Sequence, residues 1–173
     1  RPILGRSVGG DGHLLAQGMD AENLTAIISS LNDRLTTRII ALESETDRKL
    51  EGLRWCWLAL GSEGRMEQTL ATDQDNALIF DQANDAQREA LLAFAQRVNA
   101  RLDACGFPLC KGGIMAGNPQ WCLSADDWQR QFAQWIDHGS PEALLHASIF
   151  FDFRPLAGDA TLAFDLRAWL NRA

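Results

Sequence analysis

Trp55-Cys56-Trp57-Leu58-Ala59-Leu60 runs into Gly61-Ser62-Glu63-Gly64-Arg65, and Asp73-Gln74-Asp75 runs into Asn76-Ala77-Leu78-Ile79-Phe80. The first apolar run is too short for an ordinary helix and is stopped by glycine, which predicts a buried strand. The second, stopped by Asp81, predicts another. The polar segment 61–72 between them carries Gly61, Gly64, Thr69 and Thr72. A connection this short predicts that the two strands are neighbours in one sheet.

Helical periodicity surrounds this pair. Upstream, Leu24, Ile27, Ile28, Leu31, Leu35, Ile39 and Leu42 recur at three- and four-residue steps, with Glu, Asp and Arg between them. This predicts a long amphipathic helix over 20–52, ending near Gly52, whose apolar stripe faces the core or a partner. Downstream, Leu91, Ala95, Val98 and Leu102 share one face of a helix over 85–104, which Gly106-Phe107-Pro108 ends. A weaker strand is expected at 109–116, spoiled by Gly112 and Gly113. Ser124 predicts a helix cap, with Asp126 and Asp127 in the first turn of a helix reaching His138. Its apolar face, Trp128, Phe132 and Trp135, reads as core. Pro141 opens a helix over 141–151, and a last one covers 160–171. The expected order is α-β-β-α-β-α-α-α: an α+β fold with a small mixed sheet, a long N-terminal helix and a helical C-terminal part. Residues 1–19, with Gly5, Gly9, Gly10, Gly12 and Gly18, read as a leader or linker. The domain is expected over 20–173: the long helix 20–52, a sheet core with the site over 53–123, and the helical part 124–173.

Composition narrows the function. The 173 residues, 46% hydrophobic and 23% charged, suffice for one domain with a core. Lys+Arg 16 against Asp+Glu 23 gives a net charge of −7, which disfavours nucleic acid and anionic membranes as partners. No stretch has the length of a membrane helix and no signal peptide is visible. The chain does not begin with Met and reads as a fragment of a longer one. Cys56, Cys105, Cys110 and Cys122 form no CxxC pair, so buried, reduced thiols in a cytoplasmic protein are expected. His13, His138 and His146 are scattered and suggest no triad or metal cluster, and no GxSxG elbow exists.

The chemistry gathers between the two strands. Gly61-Ser62-x-Gly64-Arg65 leaves a strand through glycines that let backbone N–H groups approach an anion. The Ser62 hydroxyl can donate to a phosphate oxygen, and Arg65 offers a planar guanidinium. The spacing fits neither GxGxxG nor GxxxxGK[ST]. Asp73 and Asp75, two apart in an extended segment, point to one face. Such like charges disfavour joint ionisation unless a cation compensates, and Mg²⁺ takes carboxylates together with phosphate oxygens and water. Either half alone is common: Gly-Ser turns occur everywhere, and an isolated Asp-x-Asp also reads as two solvated turn acids. Together, with ten residues between Ser62 and Asp73, they bring phosphate donors and metal ligands to one sheet edge.

The combination resembles the nucleotidyltransferase superfamily of DNA polymerase beta: an apolar strand, Gly-Ser, about a dozen residues, then Asp-x-Asp or Asp-x-Glu. The fuller string from Gly61 to Ala77 resembles the bacterial signalling nucleotidyltransferases related to the PII-protein uridylyltransferase, found beside CBS and cyclic-nucleotide-binding domains. Gly112-Gly113-Ile114-Met115-Ala116-Gly117-Asn118-Pro119-Gln120-Trp121 and Phe150-Phe151-Asp152-Phe153-Arg154-Pro155-Leu156-Ala157-Gly158-Asp159 also resemble that family. The resemblance covers 20–173. It implies that Gly61, Ser62 and Gly64 hold nucleotide phosphates with support from Arg65, and that Asp73 and Asp75 bind Mg²⁺ (or Mn²⁺). The superfamily's third carboxylate is absent from 109–116, and Asp152, in a stretch read as helical, is the substitute.

Three readings follow. The first is Mg²⁺-dependent transfer of a nucleoside monophosphate from a nucleoside triphosphate (NTP), ATP among the candidates, to an acceptor such as a protein in signalling. The second is a catalytically weak or inactive nucleotide-binding regulatory module, with helix 20–52 as relay. The third is an interaction domain, suggested by six tryptophans. A second copy of the chain is a candidate partner for the stripe of helix 20–52. Glu67 and Gln68 could orient the loop or contact the base. Lys111 reads as solvated, and Arg154 as a partner for Asp152 or a triphosphate.

Overall fold

The two apolar runs form strands that pair antiparallel, β1 (Trp55–Ala59) and β2 (Asn76–Phe80), with Trp55 opposite Phe80 and Ala59 opposite Asn76. The computed structural model describes residues 20–69 and 72–173; the expected leader 1–19 lies outside them. Strand alternation divides the side chains between two cores. Trp57, Leu78 and Phe80 face one, closed by Ile39 and Ile40 of α1 (Ala21–Glu45) and by Leu91, Phe94 and Val98 of α3 (Asp85–Ala104). Cys56, Leu58, Ala77 and Ile79 face the other. That core is closed by Trp128, Phe132 and Trp135 of α4 (Ala125–His138), Phe150 of α5 (Pro141–Phe150) and Leu166 of α6 (Ala160–Leu170). A four-residue helix, α2 (Gly61–Gly64), follows β1.

Two more strands complete the sheet. β3 (Cys122–Ser124) runs parallel to β2, and β4 (Arg154–Gly158) runs antiparallel to β1, giving the order β3-β2-β1-β4. A small mixed sheet flanked by helices is the α+β class expected from the sequence. The cap expected at Ser124 forms, accepting from Asp127 N–H, and Pro141 takes the first helical position as expected. Ser140 caps that helix too, accepting from Ala143 N–H.

Several expectations are corrected. The helix expected over 20–52 ends at Glu45, because Asp47 accepts from Lys49 N–H and caps a separate 3₁₀ turn, Arg48–Leu50. Its stripe is rotated: Leu24, Ile28 and Ile39 are buried, but Ile27, Leu31, Leu35 and Leu42 are exposed. The buried face runs instead through Ser29, Thr36, Ile40 and Glu43. The segment 109–116 is a pair of turns, with Gly113 at φ +71°. It keeps one ladder-like bond, Asn76 N–H to the Ile114 carbonyl at 3.2 Å. The expected helical part 124–173 contains β4, and Asp152 lies in the turn between α5 and β4, outside any helix.

The four thiols are free. Cys56 is buried, but Cys105 at the end of α3 is exposed, so uniform burial does not hold. Burial pushes the Cys56 and Cys122 thiols up to about 12, too high for either to act as a thiolate nucleophile. Four tryptophans are buried, and Trp55 and Trp169 pack against the cores. Among the described residues, no helix is long and apolar enough to cross a membrane.

Candidate active site

Gly61 leaves β1 at φ +53°, a left-handed conformation that favours glycine. The turn closes at once: Gly64 N–H donates to the Leu60 carbonyl at 2.9 Å and Arg65 N–H to that of Gly61 at 3.0 Å. The N–H groups of Gly61, Ser62 and Glu63 therefore precede the helix's own bonds. Gly64 is needed for a different reason. A Cβ there would lie 2.2 Å from the Asp152 carbonyl oxygen and 3.0 Å from that of Ala59, backbone on both sides. The turn is thus wedged between β1 and the approach to β4. Met66, at φ +59°, then reverses the chain so that Glu67 N–H reaches the Ser62 carbonyl at 2.8 Å.

The carboxylate pair meets this turn. Leu60 N–H donates to the Asp75 carbonyl at 3.1 Å, and a Cβ on Gly61 would lie 3.2 Å from Asp75 Oδ2. Asp73 is exposed and Asp75 half-buried. Burial, with the like charge of Asp73, raises the pKa of Asp75 against an opposing hydrogen bond from the Cys110 thiol. Neither aspartate takes part in an ion pair among the described residues.

The alternate positions hold the pair in place. Gln74 and Asn76 are buried and point away from the carboxylates into an amide network that the sequence reading missed. Asn99 of α3 donates to Gln74 Oε1 at 2.8 Å and to Asn76 Oδ1 at 2.9 Å, and accepts from Gly117 N–H at 2.7 Å. Gln74 Nε2 donates to the carbonyls of Asn99 and Phe107, and Ala116 N–H to Asn76 Oδ1. The signal available in the sequence was the polar alternation of Gln74 and Asn76 beside an otherwise apolar strand.

The remaining predicted residues are distributed as follows. Arg65 Nη1 donates to Asp152 Oδ2 and Nε to Glu67 Oε2, both at 3.0 Å. Arg65 and Asp152 are 43% and 44% exposed, so this pair is weak and opens at little cost. Arg154 does not pair with Asp152; its fork meets Asp33 of α1. Gln68 is buried, bonded to Ser29 and Asn32 of α1, and so orients the loop. Lys111 is exposed, as expected. His138 bonds the Gln134 carbonyl and His146 lies among Trp121, Trp135 and Phe150, whereas His13 lies outside the described residues.

Glu63 is 6% exposed. Burial first, then the charges of Asp33 and Asp75, push its carboxyl up to about 8, against the opposing effect of Arg154. A neutral acid therefore sits beneath the turn at pH 7.

A family model described as "Putative nucleotidyltransferase DUF294" matches residues 12–142. The chain belongs to this nucleotidyltransferase family. No curated protein matches it. The match contains the turn, the acid pair and α1, whereas Asp152 and β4 lie beyond it. An NTP is the substrate that a nucleotidyltransferase domain implies. For a divalent ion, Asp73 and Asp75 fit in donor type: hard oxygen donors close enough for the charge of one to act on the other. Among the described residues, no group of three or more His, Cys, Asp and Glu side chains is placed to hold one. A divalent ion there would take two carboxylates from the protein and its other ligands from phosphate and water.

Proposed function

We propose that the domain transfers a nucleoside monophosphate from an NTP to an acceptor hydroxyl, a protein hydroxyl in a signalling pathway among the candidates. The observation that supports this is the closeness of Asp75 to Gly61, where an added Cβ would lie 3.2 Å from Asp75 Oδ2, so that the glycine turn and the acid pair adjoin. The turn amides of Gly61, Ser62 and Glu63 hold the phosphates with the Ser62 hydroxyl, and Gly64, its own amide bonded to the Leu60 carbonyl, lets the turn pack close to β1. Arg65 exchanges its exposed pair with Asp152 for a phosphate oxygen, which frees Asp152 as a further carboxylate. Asp73 and Asp75 would hold Mg²⁺ or Mn²⁺, which would supply charge neutralisation to the triphosphate. The acceptor oxygen forms the new bond to the α-phosphorus as the bond to the bridging oxygen breaks and pyrophosphate leaves. The acceptor hydroxyl gives up its proton to Asp152, once Arg65 has left it, or to water. What the residues do is position the reactants and compensate charge.

The test is calorimetric titration of ATP, GTP, CTP and UTP, with and without Mg²⁺, alongside pyrophosphate release. Mg²⁺-dependent binding that is lost in Asp73→Asn and Asp75→Asn, with turnover, supports the reading. Turnover retained in either variant overturns it. A regulatory nucleotide-binding module is the second reading, favoured by the lack, among the described residues, of a third carboxylate placed with the pair to hold an ion. It predicts the same binding without pyrophosphate release.

A further inference from the structure

The Gly61–Gln68 segment is held from behind by residues outside the motif. Arg154 opens β4. Its Nη1 and Nη2 donate to Asp33 Oδ2 and Oδ1 at 2.9 and 3.1 Å, a fork-to-fork pair, and Nη2 also donates to the Glu63 carbonyl at 2.9 Å. Asp33 lies midway along α1. Beside it, Ser29 Oγ accepts from Gln68 N–H at 3.1 Å, and Asn32 Nδ2 donates to Gln68 Oε1 at 3.2 Å. Residues 29, 32, 33 and 36 share one face of a helix. One face of α1 therefore grips the segment at both ends: at Glu63 through Arg154, and at Gln68 directly. These polar residues explain why the stripe of α1 is rotated.

We propose that Asp33 is a positioning residue for nucleotide. Through Arg154 it fixes the Glu63 carbonyl, and with it the turn Gly61–Gly64, in the geometry that meets the phosphates. This rests on Gly61–Asp75 being the nucleotide site. The pair is well shielded, with side chains 27% and 18% exposed, so water competes poorly for it. Arg154 Nε is buried and has no hydrogen-bond partner, so the Asp33 fork and the Glu63 carbonyl fix the guanidinium's orientation. A shift of α1 that parts Asp33 from Arg154 releases the turn. α1 is then a control element for the site, acting without contact with the nucleotide.

The experiment uses Asp33→Asn and Asp33→Glu, with Glu43→Gln as control. Glu43 is also on α1 but holds Arg97 and Arg101 of α3. Two quantities are read: hydrogen exchange at the Gly64 and Arg65 amides relative to that in β1 and β2, and the Kd for Mg–ATP. In Asp33→Asn the two amides exchange about tenfold faster, by local opening, while β1 and β2 keep their protection. The Kd rises about tenfold, and Asp33→Glu recovers part of both. Glu43→Gln lowers Tm and changes neither. Unchanged exchange at Gly64 and Arg65 in Asp33→Asn overturns the proposal, as does faster exchange with an unchanged Kd. A wild type that binds no nucleotide instead defeats the functional reading, and the exchange data still decide whether Asp33 holds the turn.

Discussion

Gly61 and Gly64 look equivalent in the sequence and differ in what they demand. At Gly61 an alanine must adopt φ +53° and place its methyl group 3.2 Å from Asp75 Oδ2, a side-chain atom that can retreat. The left-handed conformation costs about 1–2 kcal/mol. At Gly64 the methyl group meets two backbone carbonyls, the nearer at 2.2 Å, and neither can move without shifting β1 or the turn before β4. We expect Gly61→Ala to keep most of its stability and lose nucleotide affinity. Gly64→Ala should lose about 3 kcal/mol, the upper range for overpacking, as read by denaturant unfolding. Glu63, between them, makes stability pH-dependent. Its folded pKa of about 8 lies above the ordinary 4.5, so the folded state holds a proton that the unfolded state releases. This contribution is complete below pH 4.5 and is lost as the pH rises to about 8, at up to ~1.4 kcal/mol per pH unit. Glu63→Gln removes that slope. Unfolding curves of the variant and wild type should converge near pH 4.5 and separate towards pH 8, with the variant the more stable.

At the scale of elements, the strand that presents the acid pair depends on α3. Replacing Asn99 by leucine leaves the Gly117 N–H without its partner and takes one donor each from Gln74 Oε1 and Asn76 Oδ1, the latter keeping Ala116 N–H. The orphaned amide costs about 1–3 kcal/mol, and each lost hydrogen bond about 1 kcal/mol more. Asn99→Leu should lower stability by about 3 kcal/mol or more and loosen the acid pair, seen as a lower Tm and weaker Mg²⁺-dependent nucleotide binding. The same elements show where sequence reading reaches. β1, β2, α3 and α4 were legible because apolar period and caps agree within each. β3 was not, since three residues are too few to show a period. β4 was hidden by Pro155 and Gly158, residues tolerated on this edge strand, which pairs with β1 alone. The two segments that flank the carboxylates, Gly61–Arg65 and Asp73–Asp75, could be read from spacing. Their supports, Asp33, Asn99 and Arg154, could not, because contacts up to 121 positions apart leave no local pattern.

Across the whole molecule, the acid pair is a liability to the fold unless it is filled. The chain carries a net charge of −7, and Asp73 adds to it beside Asp75, neither of them in an ion pair among the described residues. Asp73→Asn removes one negative charge and relieves the repulsion on Asp75, so Tm without ligand should hold or rise slightly. A ligand that binds only the folded state stabilises it by about 2.7 kcal/mol at a hundredfold excess over Kd. In a chain of this size that corresponds to roughly 5–11 °C. Wild type should therefore start no higher than the variant and overtake it when Mg²⁺ and the best-bound triphosphate are added, while Asp73→Asn does not move. The two effects have opposite signs at one residue, which separates a binding role from a structural one. A variant with a lower Tm and an undiminished ligand shift would mean that Asp73 serves the fold, and that the nucleotide is held elsewhere.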